Sequence, residues 1–508
     1  MKQTFVRLTL LLVLLGMFVC AFAACGEKKK PVADDVTSEN PADSGTDSTV
    51  TTEDPNKIPE LPTVDYAGQE FLMLIREDGG GLASTREDMY FDSNPAANNG
   101  SIVDQRVWAR NQRIMEETGI QISANRSSNN NADTDQLNPI LNNDTTYDLI
   151  ANHGRSMTIY ATKGALANWY DVPFLSDCLD YDWWEQGMRE DFTVNGKLWI
   201  LSGDLSWTGL GATVCMVMNK ALARKLQIDY QDLYYKMDDG EWTFEEFKTQ
   251  VAKANAEMGM DDSSLSVADG DYMGYMTARY RGPLTVVFSG GDTIVRNNGS
   301  EIELTLNTPR TEQIFSDYFA LLQQPNVHYK GEGAGTAFYK SFANGNVLFT
   351  DTRLYDVSWI QEEMSDYAVF PWPKYDENVA EYYGWRDAVA NIFGIPITIK
   401  GDRLERVGVM LEMFSRYGNE TVIPAFYQRV LLSRYGQDEY GQKAIDYIKS
   451  GRRYDLATYM SSLSRLQNVG PDAYATADHS YTTWYGENSG KIEAQIAETN
   501  LLFGDMGF

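Results

Sequence analysis

Between residues 71 and 151 short apolar runs alternate with a helical pattern, and this limits the fold more than any other feature of the chain. Residues 71–75 form a continuous apolar run of strand length. A helix is expected over about 102–118, where Val103, Val107 and Ile114 recur at helical spacing and Gly119 stops the pattern. Residues 120–122 read as the next strand, about 134–141 as a short helix, and 147–151 as a third strand. Strand, helix, strand, helix, strand with short connections makes an α/β domain with a largely parallel sheet.

Residues 195–220 (NGKLWILSGDLSWTGLGATVCMVMNK) read as strand (198–201), glycine-bearing crossing, strand (214–218) and helix start (221–226). Gly203, Gly209 and Gly211 allow positive φ or close backbone approach, as a chain passing between lobes needs. The stretch is read as a hinge and cleft floor, with Asp204 and Trp207 facing a ligand; it also fits an ordinary connection inside one sheet. Residues 388–395 form a second glycine-containing crossing. Immediately after the third strand comes a polar loop, Asn152-His153-Gly154-Arg155. Ligands of open α/β sheets bind at the C-terminal ends of the strands, and a guanidinium there offers a planar fork of donors. Arg155 and His153 are therefore candidates; a surface salt bridge and a structural histidine are the alternatives. Further on, Thr243 and Glu246 form a capping box behind Trp242, and 275–289 reads as a helix or helical pair. Residues 347–350 read as a strand with the polar tip Asp351-Thr352-Arg353, and 402–508 as mainly helical.

The N-terminus is an export signal: Lys2 and Arg7, an apolar run over 8–19, then small residues before Cys25. This resembles a bacterial lipoprotein signal, which implies lipidation at Cys25 and removal of 1–24; Phe22 departs from its usual leucine, and a membrane span is the alternative. Residues 26–60 contain no aromatic side chain and are rich in Asp, Glu, Ser, Thr and Pro, the composition of a disordered spacer. Cys178 and Cys215 remain, as a disulfide or as two buried thiols. A formal charge of −29 repels phosphate backbones, so nucleic acid is not an expected partner.

Gly-x-Ser-x-Gly, His-Glu-x-x-His and Cys-x-x-Cys are missing, and three dispersed histidines do not make a zinc site. No catalysis, metal or cofactor is expected. Flat aromatics are abundant (11 Trp, 30 Tyr, 21 Phe), and several stand beside charge: Asp204/Trp207, Asp271/Tyr272 and Trp385/Arg386. A sugar ring, with its apolar C–H face and polar rim, is bound by such pairs. Tyr272, Trp385 and Arg386 join the candidates on that ground.

A series of local phrases then resembles the extracellular solute-binding lipoproteins of bacterial ABC importers, in the carbohydrate-binding family related to maltose-binding protein. They are Tyr147-Asp148-Leu149-Ile150, Gly164-Ala165-Leu166, Asn195-Gly196-Lys197-Leu198-Trp199, Met218-Asn219-Lys220, Gly240-Glu241-Trp242-Thr243-Phe244-Glu245, Gly345-Asn346-Val347-Leu348-Phe349 and Phe370-Pro371-Trp372-Pro373-Lys374. The resemblance covers most of 64–450 and implies a two-lobe, type II periplasmic-binding-protein-like α/β fold that closes on its ligand. One lobe would be 64–205 plus 391–435, the other 212–388 plus 436–508. Carried over residue by residue, the ligand contacts are His153, Arg155, Asp204, Trp207, Asp351 and Arg353. The resemblance also implies a carbohydrate ligand, a membrane permease as partner, a monomer, and a lipid anchor on the outer face of the membrane. A secreted glycoside hydrolase and a wall-associated adhesion module are the rival readings. The ligand could be a mono- or oligosaccharide, a sugar acid or a peptide, with the aromatic count leaning toward an oligosaccharide.

Overall fold

The computed structural model describes residues 58–77, 86–128, 133–258, 272–431 and 439–505. The export signal, Cys25 and most of the acidic spacer lie outside the described residues, as does Asp271. Thirteen strands follow in chain order: β1 (Glu70–Glu77), β2 (Gln121–Ser128), β3 (Leu149–His153), β4 (Val214–Asn219), β5 (Met273–Ala278), β6 (Val295–Asn297), β7 (Ile302–Leu304), β8 (Val327–Lys330), β9 (Val347–Arg353), β10 (Tyr367–Phe370), β11 (Gly384–Trp385), β12 (Asn391–Gly394) and β13 (Arg452–Arg453).

Nine of them form two larger sheets, in the orders β12-β3-β1-β2 and β10-β4-β9-β5-β8, and β11-β13 and β6-β7 are two-stranded. In the first, β1 runs parallel to β2 and β3, and β12 is antiparallel to β3. In the second, β5 runs parallel to β8 and β9, and β4 is antiparallel to β9. Each sheet thus holds an antiparallel strand that follows a passage from the other: β4 after 202–213, β12 after 384–390, so the second crossing lies ahead of the 388–395 expected, half of which is β12 itself. These passages run side by side, joined by a Thr213–Arg386 bridge and by Asp387 N–H to the Ala212 carbonyl at 3.1 Å.

The helix Ile102–Thr118 forms where its periodicity places it. Ser101 and Asp104 make a capping box and Gly119 a left-handed cap at φ 72°. β4 and β5 are buried along their whole length, so neither shows alternation. That explains one correction: 275–278, expected as the start of a helix or helical pair over 275–289, belong to the strand β5, and the helix occupies only Gly282–Ser289. A short run buried on both faces carries no period to separate the two. Residues 198–201 are a further correction, since they form no regular strand and are joined to the first sheet by an isolated Leu201–Phe393 bridge. Cys178 and Cys215 are both free and buried. No helix among the described residues is long and apolar enough to cross a membrane.

The C-terminal segment ties the two sheets' surroundings together. Gly154, at the start of the helix Gly154–Thr162, abuts the Tyr459 ring, which a Cβ would meet at 2.1 Å. Gly470 abuts the Pro283 carbonyl, which a Cβ would meet at 1.6 Å. One side of the segment therefore seats on the helix after β3, the other on the helix after β5, and at both contacts only glycine fits.

Candidate functional site

A cavity of about 390 Å³ opens where the parallel strands of both sheets end. His153 and Arg155 reach it from the end of β3, Tyr280 and Arg281 from beyond β5, Arg353 from the end of β9. Trp385, Asp387, Ala388 and Val389 of the second crossing line it too, with Gln467 and Asn468 of the C-terminal segment. Strand C-termini are where α/β sheets leave backbone and loops free for ligands, and here two sets converge.

On the first-sheet side there is no loop after β3. The helix Gly154–Thr162 starts at once, and His153 is its N-cap. The His153 Nδ1 accepts the backbone N–H of Arg155 at 3.1 Å and of Ser156 at 3.4 Å, so that nitrogen serves the helix end. Arg155 is exposed, its Nε donating to the Thr458 carbonyl at 3.2 Å.

Across the cavity, Arg281 occupies the position before the helix Gly282–Ser289. Arg353 holds fully buried Asp356 in a fork, Nε to Oδ2 at 2.8 Å and Nη2 to Oδ1 at 3.2 Å. Its Nη1 donates to Asp387 Oδ2 at 3.1 Å, and Arg281 Nη1 stands 3.5 Å from the same oxygen. Two arginines and two aspartates so lock the end of β9 to the second crossing. Desolvation opposes the charge on Arg353, yet Tyr355, Asp356 and Asp387 around it raise its pKa. Trp385 is buried beside them, its Nε1 3.4 Å from Thr458 Oγ1.

Of the residues singled out in the sequence, His153, Arg155, Arg353 and Trp385 line this cavity. The others lie elsewhere, and for each the reason is a partner already taken. Trp207 is stacked on Phe426 (5.2 Å, 25°) with Arg429 5.6 Å from its ring, so it is core. Asp204 is buried, accepting from Asn419 at 2.6 Å and pairing with Lys449 at 3.0 Å. Burial raises its pKa, and Lys449 opposes the shift. Those two side chains lead to a separate groove between the helices Ile423–Leu431 and Glu439–Ser450, away from the strand ends. Tyr272 is at the surface with Lys225, whose Nζ donates to its hydroxyl at 2.8 Å. Asp351 is fully buried within β9, accepts from the Tyr275 hydroxyl at 3.0 Å, and is pushed up to about 6 by burial. Arg386 is sealed behind Trp385 and Asp387, donating to the Tyr459 hydroxyl at 2.9 Å.

Arg281 and Asp387 are the charged lining residues that sequence reasoning passed over. Arg281 becomes visible only once β5 is recognised as a strand whose end precedes it. Asp387 stood next to the chosen pair Trp385/Arg386, and alternation along an extended crossing puts 385 and 387 on one side and 386 on the other.

No protein-family model and no curated protein matches the sequence. Solved structures match its fold. The sugar-binding protein MalE from Xanthomonas citri shares 10% identity, covering 86% of this chain and 99% of that one, at a TM-score of 0.58. The galacto-N-biose-/lacto-N-biose I-binding protein of an ABC transporter from Bifidobacterium longum shares 13%, covering 87% and 98%, at 0.53. The GacH receptor of Streptomyces glaucescens shares 11%, covering 84% and 98%, at 0.51. At these identities the likeness is one of architecture. The chain has the two-lobe, type II α/β fold of the maltose-binding type.

Proposed function

We propose that this chain is the solute-binding component of a carbohydrate ABC importer, tethered by lipid at Cys25 to the outer face of the bacterial membrane. It captures a saccharide between its lobes, as a monomer, and presents it to a permease. The observation that carries this reading is the cavity fed by strand ends of both sheets and backed by the second crossing. The similar structures add weight: that from Bifidobacterium longum is a complex with lacto-N-biose, and the GacH receptor was solved with acarbose. We divide the lobes at 64–205 plus 391–435 and 212–388 plus 436–508. A ligand that touches both lobes favours the closed form by its difference in affinity for the two states. Binding without turnover suits the lining, where the carboxylate is Asp387, held by two arginines. A glycosidase works with two carboxylates facing one bond.

The test is a thermal-shift screen of the full chain in detergent against mono- to tetrasaccharides. A ligand at a hundred times its Kd stabilises the folded state by about 2.7 kcal/mol. At least one glycan is expected to raise the melting temperature and to be recovered unaltered. A flat response across the panel, or hydrolysis of the binder, would sink the proposal.

A further inference from the structure

The cavity lining carries three guanidinium groups, Arg155, Arg281 and Arg353, against the single carboxylate of Asp387. It does so in a chain of formal charge −29, where a patch chosen at random would be acidic. Asp387 lies between Arg353 and Arg281, and Asp356, behind the lining, takes the Arg353 fork and stands 3.7 Å from Arg281 Nη2. Two aspartates therefore face two arginines, and Arg155 is left over from the opposite lobe. Among the described residues its side chain makes one hydrogen bond, from Nε to the Thr458 carbonyl, and its two terminal nitrogens have no partner there. Arg281 is 5% exposed, and its Nε is buried without a hydrogen-bond partner. That N–H is enclosed by protein, so Arg281 acts on a ligand in the cavity chiefly through its charge.

Backbone adds to the same sign. The helices Gly154–Thr162 and Gly282–Ser289 both begin at the cavity, their first turns contributing Arg155 and Leu284 to its lining. The positive ends of two helix dipoles, one from each lobe, thus face the same space.

We infer that the cleft is made for an anionic saccharide, a sugar whose ring carries a carboxylate or phosphate group. Arg155 of one lobe and Arg281 of the other hold the anion, and Trp385 lies beside the ring. This rests on the saccharide-binding reading above and names its substrate class. Guanidinium groups bind such anions through paired, charge-assisted hydrogen bonds. Because the cations come from both lobes, an anion between them favours closure more than a neutral sugar of the same size does.

The full chain in detergent is titrated calorimetrically with galacturonate and glucuronate, their mono- to trisaccharides, the methyl esters of each, galactose 6-phosphate and galactose. At least one acid is expected to bind about tenfold or more tighter than its own neutral counterpart, with the ratio shrinking at high salt. A preference for the uronates identifies carboxylate as the anion, a preference for galactose 6-phosphate identifies phosphate, and either supports the inference. Arg155→Gln, a change at an exposed side chain, should narrow the acid-to-neutral ratio several-fold; Arg281→Gln should do so more strongly if the variant folds. Neutral glycans binding as tightly as their acids would overturn this inference and leave the saccharide-binding reading standing. Binding of neither class, here and in the wider glycan screen, would overturn both.

Discussion

The first crossing, 202–213, and the second, 384–390, each set an acidic residue near a tryptophan, yet only the second reaches the cavity. In the first, Trp207 is spent on Phe426 and Asp204 on Lys449 and Asn419, so the passage is welded to the C-terminal helices. Its glycines do not take positive φ; they permit contact, as where a Cβ on Gly203 would meet the Trp183 carbonyl at 2.6 Å. Residues Thr208–Gly211 even form a helical turn. In the second, Trp385 and Asp387 face the ends of β3, β5 and β9. The two passages lie side by side, and of two strands in contact only the one nearer the cleft can line it. Composition marks a crossing, and position across the pair decides which one lines the cavity.

The largest effect that separates them is on stability. Trp207→Ala removes a buried ring and is expected to cost about 3–5 kcal/mol, measured by denaturant unfolding. If instead Trp207→Ala folds with wild-type stability and loses saccharide affinity, the assignment of roles to the crossings is reversed. A second, somewhat smaller effect comes from Asp88, which ties the first crossing to the start of β12. It accepts from the Ser206 hydroxyl, from Thr208 Oγ1 at 2.8 Å and from Asn391 Nδ2 at 2.9 Å. Burial pushes its carboxyl from 3.8 up to about 6, against those hydrogen bonds and Arg110. Between these values the folded chain holds a proton that the unfolded chain has released, so stability falls as pH rises through that window. For Asp88 alone the fall is at most about 3 kcal/mol. Asp351, also pushed up to about 6, acts in the same direction. Unfolding curves of Asp88→Asn from about pH 4 to about pH 7 should lose less stability than wild type over that interval. Parallel curves would show that Asp88 stays ionised throughout.

The lobe architecture was largely legible in the sequence, because it is written in periodicity. The helix Ile102–Thr118, the strands β1 to β4 and the run that became β9 all carry a pattern set by their own burial. β5 was not legible: like β4 it is covered on both faces, but Gly274 and Thr277 break MGYMTA, so neither alternation nor a continuous apolar run marks it. The site was half legible. Side chains that follow a strand end directly, His153, Arg155 and Arg353, could be found from local order alone. Trp207 and Asp204 could not be placed, because their partners, Phe426, Asn419 and Lys449, lie some two hundred residues away in sequence. Gln467 and Asn468 were invisible for the same reason: the C-terminal segment reaches the cavity through Gly154 and Gly470, contacts that no local pattern encodes.

Two smaller effects sharpen the comparison further. Lys449→Met leaves the Asp204 carboxylate buried with Asn419 as its remaining side-chain partner and removes the main charge opposing its raised pKa. The expected cost is about 1–3 kcal/mol, seen as a lower denaturation midpoint at neutral pH, partly recovered as pH falls and Asp204 protonates. Saccharide binding should stay at the wild-type value, because Lys449 lines the other groove and Asp204 is its buried partner. Trp385→Phe reverses that pattern. The ring loses its long contact with Thr458 Oγ1 and part of its face, and stability changes by only about 1 kcal/mol. Its consequence should appear in binding: an aromatic face against a sugar is worth on the order of 1 kcal/mol, a factor of about five in Kd. Equal affinities for Trp385→Phe and wild type, with a stable fold in both, would remove the second crossing from the ligand and leave the arginines of the two lobes as the remaining grip.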